Sequence, residues 1–267
     1  MRHKVSKFHI LVATDLADNS LKLLQEASDV TLQQVTPTLP AIRDGLKHAN
    51  ALIARSDVHI EKSLLVEAPN LQVIGHVGAG LSSIDVEAAT GRGIIVMNTP
   101  GTNAIAAGEH AITLMLALSR KLVVAHDSLK EAWWLLDRKR QAGTQLYGKT
   151  LGIIGLGRVG KIVAQRCLAF GMTILAYDPY VGEDQLIDER ILLVGLKELL
   201  QRSDFVSLHV AATPETNCLI NKQTLALMKP GARLINTAHG SVIDEGAVAA
   251  ALKDGHLGGL AVDVYAD

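Results

Sequence analysis

The sequence has few cysteines, few aromatic residues and almost no net charge. Only two cysteines stand among its 267 residues, and Cys167 and Cys218 lie far apart without metal-ligand spacing, so neither a disulfide framework nor a metal site is predicted. The formal net charge of -1 leaves no electrostatic basis for binding nucleic acid or an anionic membrane surface. With 3% aromatic and 48% hydrophobic residues, the core must consist of Val, Leu, Ile and Ala, a composition typical of buried parallel strands.

Long hydrophobic runs are also missing. The apolar stretch Phe8–Ala13 is too short for the core of a signal peptide and is predicted to be a first strand. The most apolar later stretch, Ala104–Ala125, is interrupted by charged side chains, which argues against a membrane span and favours one long buried or interface helix. We therefore predict a cytoplasmic protein whose partners are small molecules and a second copy of the chain, packed on this helix as a homodimer.

Short apolar runs alternate with helix-like stretches along the chain. This alternation predicts the α/β class, with parallel sheets and right-handed crossover helices. The length suggests two domains, and the turn residues 98–103 suggest the boundary, so we predict two doubly wound parallel-sheet domains at residues 1–99 and 100–267. The runs predicted as strands are Phe8–Ala13, Ala51–Ala54, Leu71–Gly75, Gly93–Met97, Leu151–Ile154, Thr173–Tyr177, Asp204–Val210, Arg233–Asn236 and Gly259–Val264.

The most informative motif is the segment Leu151–Gly160, in which an apolar strand runs into G-x-G-x-x-G and a helix pattern follows. Gly155 would allow a tight turn, Gly157 would let the backbone approach a pyrophosphate, and Gly160 would let helix and strand pack closely. Asp178 ends the next strand, where a carboxylate accepts hydrogen bonds from an adenosine ribose and repels a 2′-phosphate. In this context the motif predicts an NAD site rather than an NADP site.

Further motifs follow one another over the whole chain. They are Gly78–Gly80 before Asp85, Val96–Pro100, the loop Gly155–Gly160, Tyr177–Pro179, His209 with Thr213–Thr216, Asn236–Ala238, Val242–Glu245 and Asp263–Tyr265. Together they resemble the D-isomer-specific 2-hydroxyacid dehydrogenases, and most of all the D-3-phosphoglycerate dehydrogenase branch. The resemblance implies a flavodoxin-like substrate-binding domain at residues 1–99, a Rossmann NAD-binding domain at residues 100–267, and a role in serine biosynthesis.

The resemblance also implies which residues bind the cofactor. The glycine loop and several strand ends would line NAD from its phosphates to its nicotinamide. The implied contacts are Gly155, Gly157 and Gly160 in the loop, Arg158 and Val159 at the phosphates, Asp178 at the ribose, Val210 and the backbone of Thr237 and Ala238 along the dinucleotide, and Asp263 near the carboxamide.

On the substrate side, Arg55 and the backbone of Gly78, Ala79 and Gly80 resemble the family's contacts. A guanidinium and a row of N–H groups suit an anionic carboxylate or phosphate. The alternatives are that Arg55 is a solvated charge at the end of a strand and that the glycine segment is only a turn.

The catalytic residues depart from the family pattern. The family has an arginine where this chain has His239, and that arginine grips the substrate carboxylate and polarises the carbonyl. A histidine is shorter and mostly neutral near pH 7, so if His239 keeps this catalytic role, binding should be weaker and pH-dependent. By this resemblance, the family's catalytic histidine and its orienting acid would lie beyond Asp267. We therefore expect a C-terminally truncated chain with slow turnover. We also expect an incomplete first domain and a dinucleotide sheet without its last strands. His209 is interpreted as structural, and His256 as a surface or C-cap residue.

These observations predict an NAD-dependent oxidoreductase that transfers hydride between C2 of a small anionic 2-hydroxy acid and the nicotinamide. The first candidate reaction is the oxidation of 3-phosphoglycerate to 3-phosphohydroxypyruvate. The second candidate is the reduction of glyoxylate or hydroxypyruvate. A catalytically silent NAD-binding module, resembling the family's corepressor members, is an alternative from another class. A third interpretation is a fragment of a longer protein.

Overall fold

The predicted strands form two separate parallel sheets in the computed structural model, which describes residues 8–27, 29–130 and 142–266. The chain divides into two units, Met1–Thr102 and Asn103–Asp267, and each has its own sheet and hydrophobic core. The sequence suggests a boundary a few residues earlier, at residue 99. In the described part of the chain, no helix has the length and apolar character needed to cross a membrane.

The first unit contains a five-stranded sheet covered by helices. Its elements are β1 (Phe8–Ala13), α1 (Asp18–Glu26), β2 (Val30–Gln34), α2 (Leu39–Leu46), β3 (Ala51–Ala54), α3 (Lys62–Val66), β4 (Val73–His76), α4 (Val86–Gly91) and β5 (Ile95–Asn98). The strand order is β2-β1-β3-β4-β5 and every neighbouring pair is parallel. This order is flavodoxin-like, so the predicted doubly wound class is confirmed for this unit.

The central strands of this unit supply its core. Leu11, Leu52 and Ile74 are in register on three neighbouring strands and are almost completely buried. Because residues in register point to the same face of a parallel sheet, these side chains form one apolar row across it. The polar residues that follow each strand are thereby placed together along the carboxyl edge of the sheet.

The second unit contains a six-stranded sheet. Its elements are α5 (Ala104–Arg120), α6 (Leu122–Lys130), β6 (Thr150–Ile154), α7 (Arg158–Ala169), β7 (Thr173–Tyr177), β8 (Ile191–Leu193), α8 (Leu196–Arg202), β9 (Phe205–Leu208), α9 (Lys222–Leu225), β10 (Ala232–Asn236), α10 (Glu245–Lys253) and β11 (Leu257–Val262). All pairs are parallel, in the order β11-β10-β9-β6-β7-β8. Numbered within the unit this is the 3-2-1-4-5-6 order of dinucleotide-binding sheets, and the Rossmann prediction is confirmed. All six positions of that order are occupied by strands of the described residues.

The long helix predicted over Ala104–Ala125 is two helices. Lys121 has a φ of 52°, in the left-handed region, and its N–H bonds to carbonyl groups of the last turn of α5. A left-handed residue ends a helix, so α6 starts in a new direction at Leu122. Asn103 is the N-cap of α5, and its side chain makes no capping hydrogen bond.

Candidate active site

The glycine motif occupies the turn between the end of β6 and the start of α7. Gly155 has a φ of 94°, and a Cβ at this position would lie 2.7 Å from the carbonyl of His209. Only glycine fits such a turn. A Cβ at Gly160 would collide with the Gly155 carbonyl oxygen, so the first turn of α7 packs directly on the loop. Both glycines have the structural roles predicted from the motif.

The N-terminus of α7 is open. Its N-cap is Gly157, which has no side-chain oxygen, and the N–H groups of Arg158, Val159 and Gly160 have no acceptor within the described residues. A Cβ at Gly157 would meet no atom within 4 Å, so no protein group occupies the space beside it. Free N–H groups at the positive end of a helix bind phosphate groups. The exposed side chain of Arg158 adds a positive charge on the same turn.

Asp178 connects the end of β7 to the glycine loop. One carboxylate oxygen accepts a hydrogen bond from the N–H of Leu156 at 2.8 Å, and the other accepts one from the N–H of Tyr180 at 2.9 Å. An ionised carboxylate can accept about four hydrogen bonds, so both oxygens can still accept another. The half-buried carboxylate is therefore held in place and remains able to bind a ribose hydroxyl. The sequence indicates this binding role, but not the bond to Leu156.

Three further predicted cofactor residues stand at the ends of β9 and β10. A Cγ atom of Val210 would lie 3.0 Å from a Cβ at Gly155, so this side chain borders the glycine loop. The N–H of Ala238 donates to the Asn236 side chain at 3.0 Å. The Thr237 hydroxyl is buried and has no hydrogen-bond partner within the described residues. A buried hydroxyl without a partner is costly, and a bound group that bonds to it would remove that cost.

These residues fit a dinucleotide. Free N–H groups suit a pyrophosphate, a fixed carboxylate suits a ribose, and the unpaired Thr237 hydroxyl offers one more hydrogen bond on the same edge of the sheet. The structure thus brings Asp178 to the glycine loop, as the motif predicts, and Val210 borders the same loop.

Replacing Thr237 with valine should raise the free energy of unfolding of the ligand-free protein by about 1 kcal/mol, because valine keeps the shape and removes the unpaired hydroxyl. Urea denaturation measures this change. Thr224→Val is the matched control, since the Thr224 hydroxyl donates to the Leu219 carbonyl at 2.9 Å and its loss should destabilise the fold. An equal loss of stability in both variants would show that the Thr237 hydroxyl has a partner.

Asp263 has a partner that the sequence does not reveal. The Nε2 atom of His110, on α5, lies 3.2 Å from an Asp263 carboxylate oxygen. The N–H of Asp263 also donates to the Asn236 carbonyl at 3.1 Å. Asp263 is therefore held from two sides at the end of β11. In the sequence, His110 only interrupts an apolar helix, and no local pattern connects it with a residue so distant along the chain.

His239 is exposed, and its ring makes no hydrogen bond or ion pair within the described residues. Its carbonyl accepts a hydrogen bond from the Asn236 side chain at 2.8 Å, which fixes the backbone of this loop. The imidazole is therefore free to donate a hydrogen bond to an anion in front of the loop.

The other two histidines considered in the sequence are engaged by the protein. The Nε2 atom of His209 lies 2.9 Å from the Ser207 hydroxyl, and burial lowers the pKa of His209 to about 4, so its ring is neutral near pH 7. The Nε2 atom of His256 lies 2.9 Å from the Leu225 carbonyl and donates to it. The His209 contact agrees with its interpretation as structural, and the His256 ring is bound to a backbone carbonyl.

The predicted substrate residues of the first unit follow β3 and β4. The N–H of Gly78 donates to the Thr99 hydroxyl at 3.0 Å, and the Asn98 side chain donates to the Ala79 carbonyl at 2.7 Å. The N–H groups of Ala79 and Gly80 have no acceptor within the described residues. The loop is thus fixed from β5 and keeps two free donors, which suits an anion. The sequence does not indicate the positioning roles of Asn98 and Thr99.

Arg55 directly follows β3, the strand next to β4, and its side chain is exposed without an ion pair in the part of the chain that the structure describes. The same part of the chain holds no group of three His, Cys, Asp or Glu side chains that could bind a metal ion.

Residues 112–267 match the family model described as D-isomer specific 2-hydroxyacid dehydrogenase, NAD binding domain. This match covers more than half of the chain. The chain belongs to the D-isomer specific 2-hydroxyacid dehydrogenase family. The resemblance drawn from the sequence and the predicted NAD cofactor are therefore confirmed.

Curated relatives and solved structures agree with this family. The D-3-phosphoglycerate dehydrogenases of Mycobacterium tuberculosis and Methanocaldococcus jannaschii are 40% and 42% identical over 257 residues, which cover 96% of this chain and 48% of each relative. The chain thus spans about half the length of the curated relatives it matches. The D-lactate dehydrogenase of Aquifex aeolicus, solved with NAD and lactic acid, has a TM-score of 0.84 and 33% identity, covering 97% of this chain and 77% of that chain. The TT0316 protein of Thermus thermophilus has a TM-score of 0.88 and 34% identity, covering 97% and 82%.

Proposed function

We propose that this protein interconverts a small D-2-hydroxy acid and the corresponding 2-oxo acid with NAD. The observation that carries the proposal is the open N-terminus of α7 beside the fixed carboxylate of Asp178, within a domain of this dehydrogenase family. When bound, NAD supplies the nicotinamide that accepts or donates hydride.

The residues of the second unit would hold the cofactor in a defined order. The N–H groups of Arg158 and Val159 bind the pyrophosphate, and Asp178 accepts hydrogen bonds from the adenosine ribose. Thr237 donates its unpaired hydroxyl to the dinucleotide. Asp263, held by His110, orients the carboxamide.

The anionic end of the substrate requires positive groups and free donors. In the first unit we assign this role to Arg55 and to the N–H groups of Ala79 and Gly80. In the second unit, taken by itself, we assign it to the ring of His239. The guanidinium and the backbone donors suit a carboxylate or a phosphate. His239 would bind the carboxylate and polarise the carbonyl of the 2-oxo acid, which makes it the catalytic residue in this chain.

The first candidate substrate pair is 3-phosphoglycerate and 3-phosphohydroxypyruvate, which is supported by the relatives at about 40% identity. Glyoxylate or hydroxypyruvate is the second. It is supported by a glyoxylate reductase from Paecilomyes thermophila that has a TM-score of 0.84 and 30% identity, covering 98% of this chain and 82% of that chain.

NADH oxidation with 3-phosphohydroxypyruvate, hydroxypyruvate and glyoxylate tests both assignments. We expect kcat/KM to be at least about tenfold higher for the phosphorylated acid, because one well-placed polar contact discriminates at least that strongly. A higher value for glyoxylate would favour the second substrate. Binding of NADH without turnover of any of these acids would contradict the dehydrogenase proposal and indicate an NAD-binding module.

Replacing His239 with arginine should lower KM for the 2-oxo acid by about tenfold, because a guanidinium is always charged and forms two hydrogen bonds to a carboxylate. Steady-state kinetics measure this effect. His48→Arg is the control, since His48 is an exposed histidine of the first unit. An unchanged KM in the His239 variant would remove this residue from the substrate site.

We also propose that the protein is a homodimer associated through α6. Four apolar side chains of this short helix are exposed: Leu122 at 61%, Val123 at 66%, Val124 at 51% and Leu129 at 61%. A symmetric dimer is the commonest way to cover such a surface. Sedimentation at micromolar concentration should show a dimer that Val123→Asp dissociates. A wild-type monomer under these conditions would contradict the proposal.

A further inference from the structure

A polar cavity of about 390 Å³ lies at the carboxyl edge of the sheet in the first unit. Its polar lining comes from the ends of three strands: Thr14 and Asp15 after β1, Gln34 and Thr36 at the end of β2, and Arg55 and Asp57 after β3. In the sheet, β2 and β3 flank β1 on opposite sides. This is the point where the strand order changes direction, and doubly wound sheets bind ligands there.

The cavity is lined by charges of both signs that do not pair with one another. Arg55, Asp15 and Asp57 each make no ion pair and no side-chain hydrogen bond within the described residues. Some other charges of this unit do pair, as Arg43 does with Glu67 at 2.9 Å. The three unpaired groups therefore leave one positive and two negative binding positions around one small space.

The hydroxyl of Thr14 is a second, independent feature of the cavity. Thr14 is only 9% exposed and lines the cavity, yet its hydroxyl has no hydrogen-bond partner within the described residues. The hydroxyl can therefore still donate and accept hydrogen bonds. A polar ligand in the cavity would provide a partner.

We propose that this cavity binds a small zwitterion of the α-amino acid type. Its carboxylate bonds to Arg55, its ammonium group bonds to Asp15 and Asp57, and the Thr14 hydroxyl completes the site. The volume lies near the lower end of small-molecule sites, which span about 300 to 1,000 Å³.

The charges favour a zwitterion over other small ions. A dianionic phosphate would gain one guanidinium and face two carboxylates, so the two signs largely oppose each other. A simple cation would leave Arg55 unpaired. A molecule that carries both a carboxylate and an ammonium group satisfies both kinds of charge at once.

Titration of the ¹⁵N-labelled protein with L-alanine, propionate and ethylammonium tests this proposal. The last two probes each lack one charged group of alanine. We expect alanine to cause saturable shifts of the amide signals of Thr14, Arg55 and Asp57. We also expect alanine to bind about fivefold more tightly than either other probe, because an exposed ion pair contributes at most about that factor to affinity.

Two variants and one control give the site-specific readout. Asp57→Asn and Asp15→Asn should each reduce the affinity for alanine to that for propionate. Asp44→Asn should have no effect, because Asp44 pairs with Lys47 outside the cavity. The proposal would be overturned if the protein bound alanine no more tightly than propionate, or if alanine caused no shifts at these amides. It would also be overturned if Asp44→Asn reduced the alanine affinity as much as the Asp15 and Asp57 variants do.

The result is independent of the proposed dehydrogenase reaction. Arg55 is also assigned to the acid substrate, but the titrations contain no nucleotide and measure no turnover. An inactive protein could bind alanine here, and an active dehydrogenase could fail to bind it, so the two proposals fail separately.

Discussion

Replacing Gly157 with alanine should weaken NADH binding by at least about tenfold without unfolding the protein. The physical reason is the open space beside this residue, where a Cβ would meet no protein atom within 4 Å. The methyl group therefore disturbs nothing inside the chain, but it would stand between the N-terminus of α7 and a pyrophosphate that approaches the backbone. Calorimetric titration with NADH measures the effect.

Gly195 is a matched control for this substitution. It is also the N-cap of a helix, α8, in the same unit, and a Cβ there would likewise meet no atom within 4 Å. Alanine is a slightly poorer N-cap residue than glycine, so the free energy of unfolding should fall by the same small amount in both variants. Gly195→Ala should bind NADH like the wild type. Equal NADH affinities of the two variants would mean that the pyrophosphate does not lie against the Gly157 backbone.

Replacing Asp178 with asparagine should reduce the preference for NADH over NADPH by at least about tenfold. Asparagine keeps the shape and one acceptor oxygen, but it removes the charge that repels a 2′-phosphate and weakens the bonds to the ribose. The measurement is the ratio of dissociation constants for NADH and NADPH in the wild type and the variant.

The stability of this variant must be measured beside its affinity, because Asp178 also accepts the N–H groups of Leu156 and Tyr180. Asp188→Asn is a suitable control, since Asp188 is likewise a carboxylate that accepts backbone and side-chain hydrogen bonds, in its case from Arg190. A drop in affinity for both nucleotides with an unchanged ratio would indicate that Asp178 only supports the loop.

The interior strands of both sheets follow from the sequence, whereas two edge strands do not. The central strands are buried on both faces and read as unbroken apolar runs. The strands β2 and β8 lie at sheet edges, and β2 has the half-polar sequence Val-Thr-Leu-Gln-Gln while β8 has only three residues. Such segments gain their pairing from a neighbouring strand, which a local pattern does not reveal.

The division of the long apolar helix also escapes the sequence. The residue that ends α5 is Lys121, which adopts the left-handed conformation usually taken by glycine or asparagine. With neither of those residues nor proline at the break, the apolar pattern of residues 104–125 continues without a stop signal.

The local part of the candidate site is predictable, and its long-range part is not. The loop glycines and Asp178 belong to one strand-turn-helix-strand unit, whose spacing follows from backbone geometry. The contacts of His110 with Asp263 and of Asn98 with Ala79 join residues that only the folded sheet edges bring together. The unpaired state of the Thr237 hydroxyl depends on everything packed around it, so only the structure reveals it.

A crystal structure of the protein with NAD would test the central claim most directly. We expect the pyrophosphate to accept hydrogen bonds from the N–H groups of Arg158 and Val159, and the adenosine ribose to lie within hydrogen-bond distance of Asp178. A dinucleotide bound away from the N-terminus of α7, or with its ribose remote from Asp178, would contradict the account.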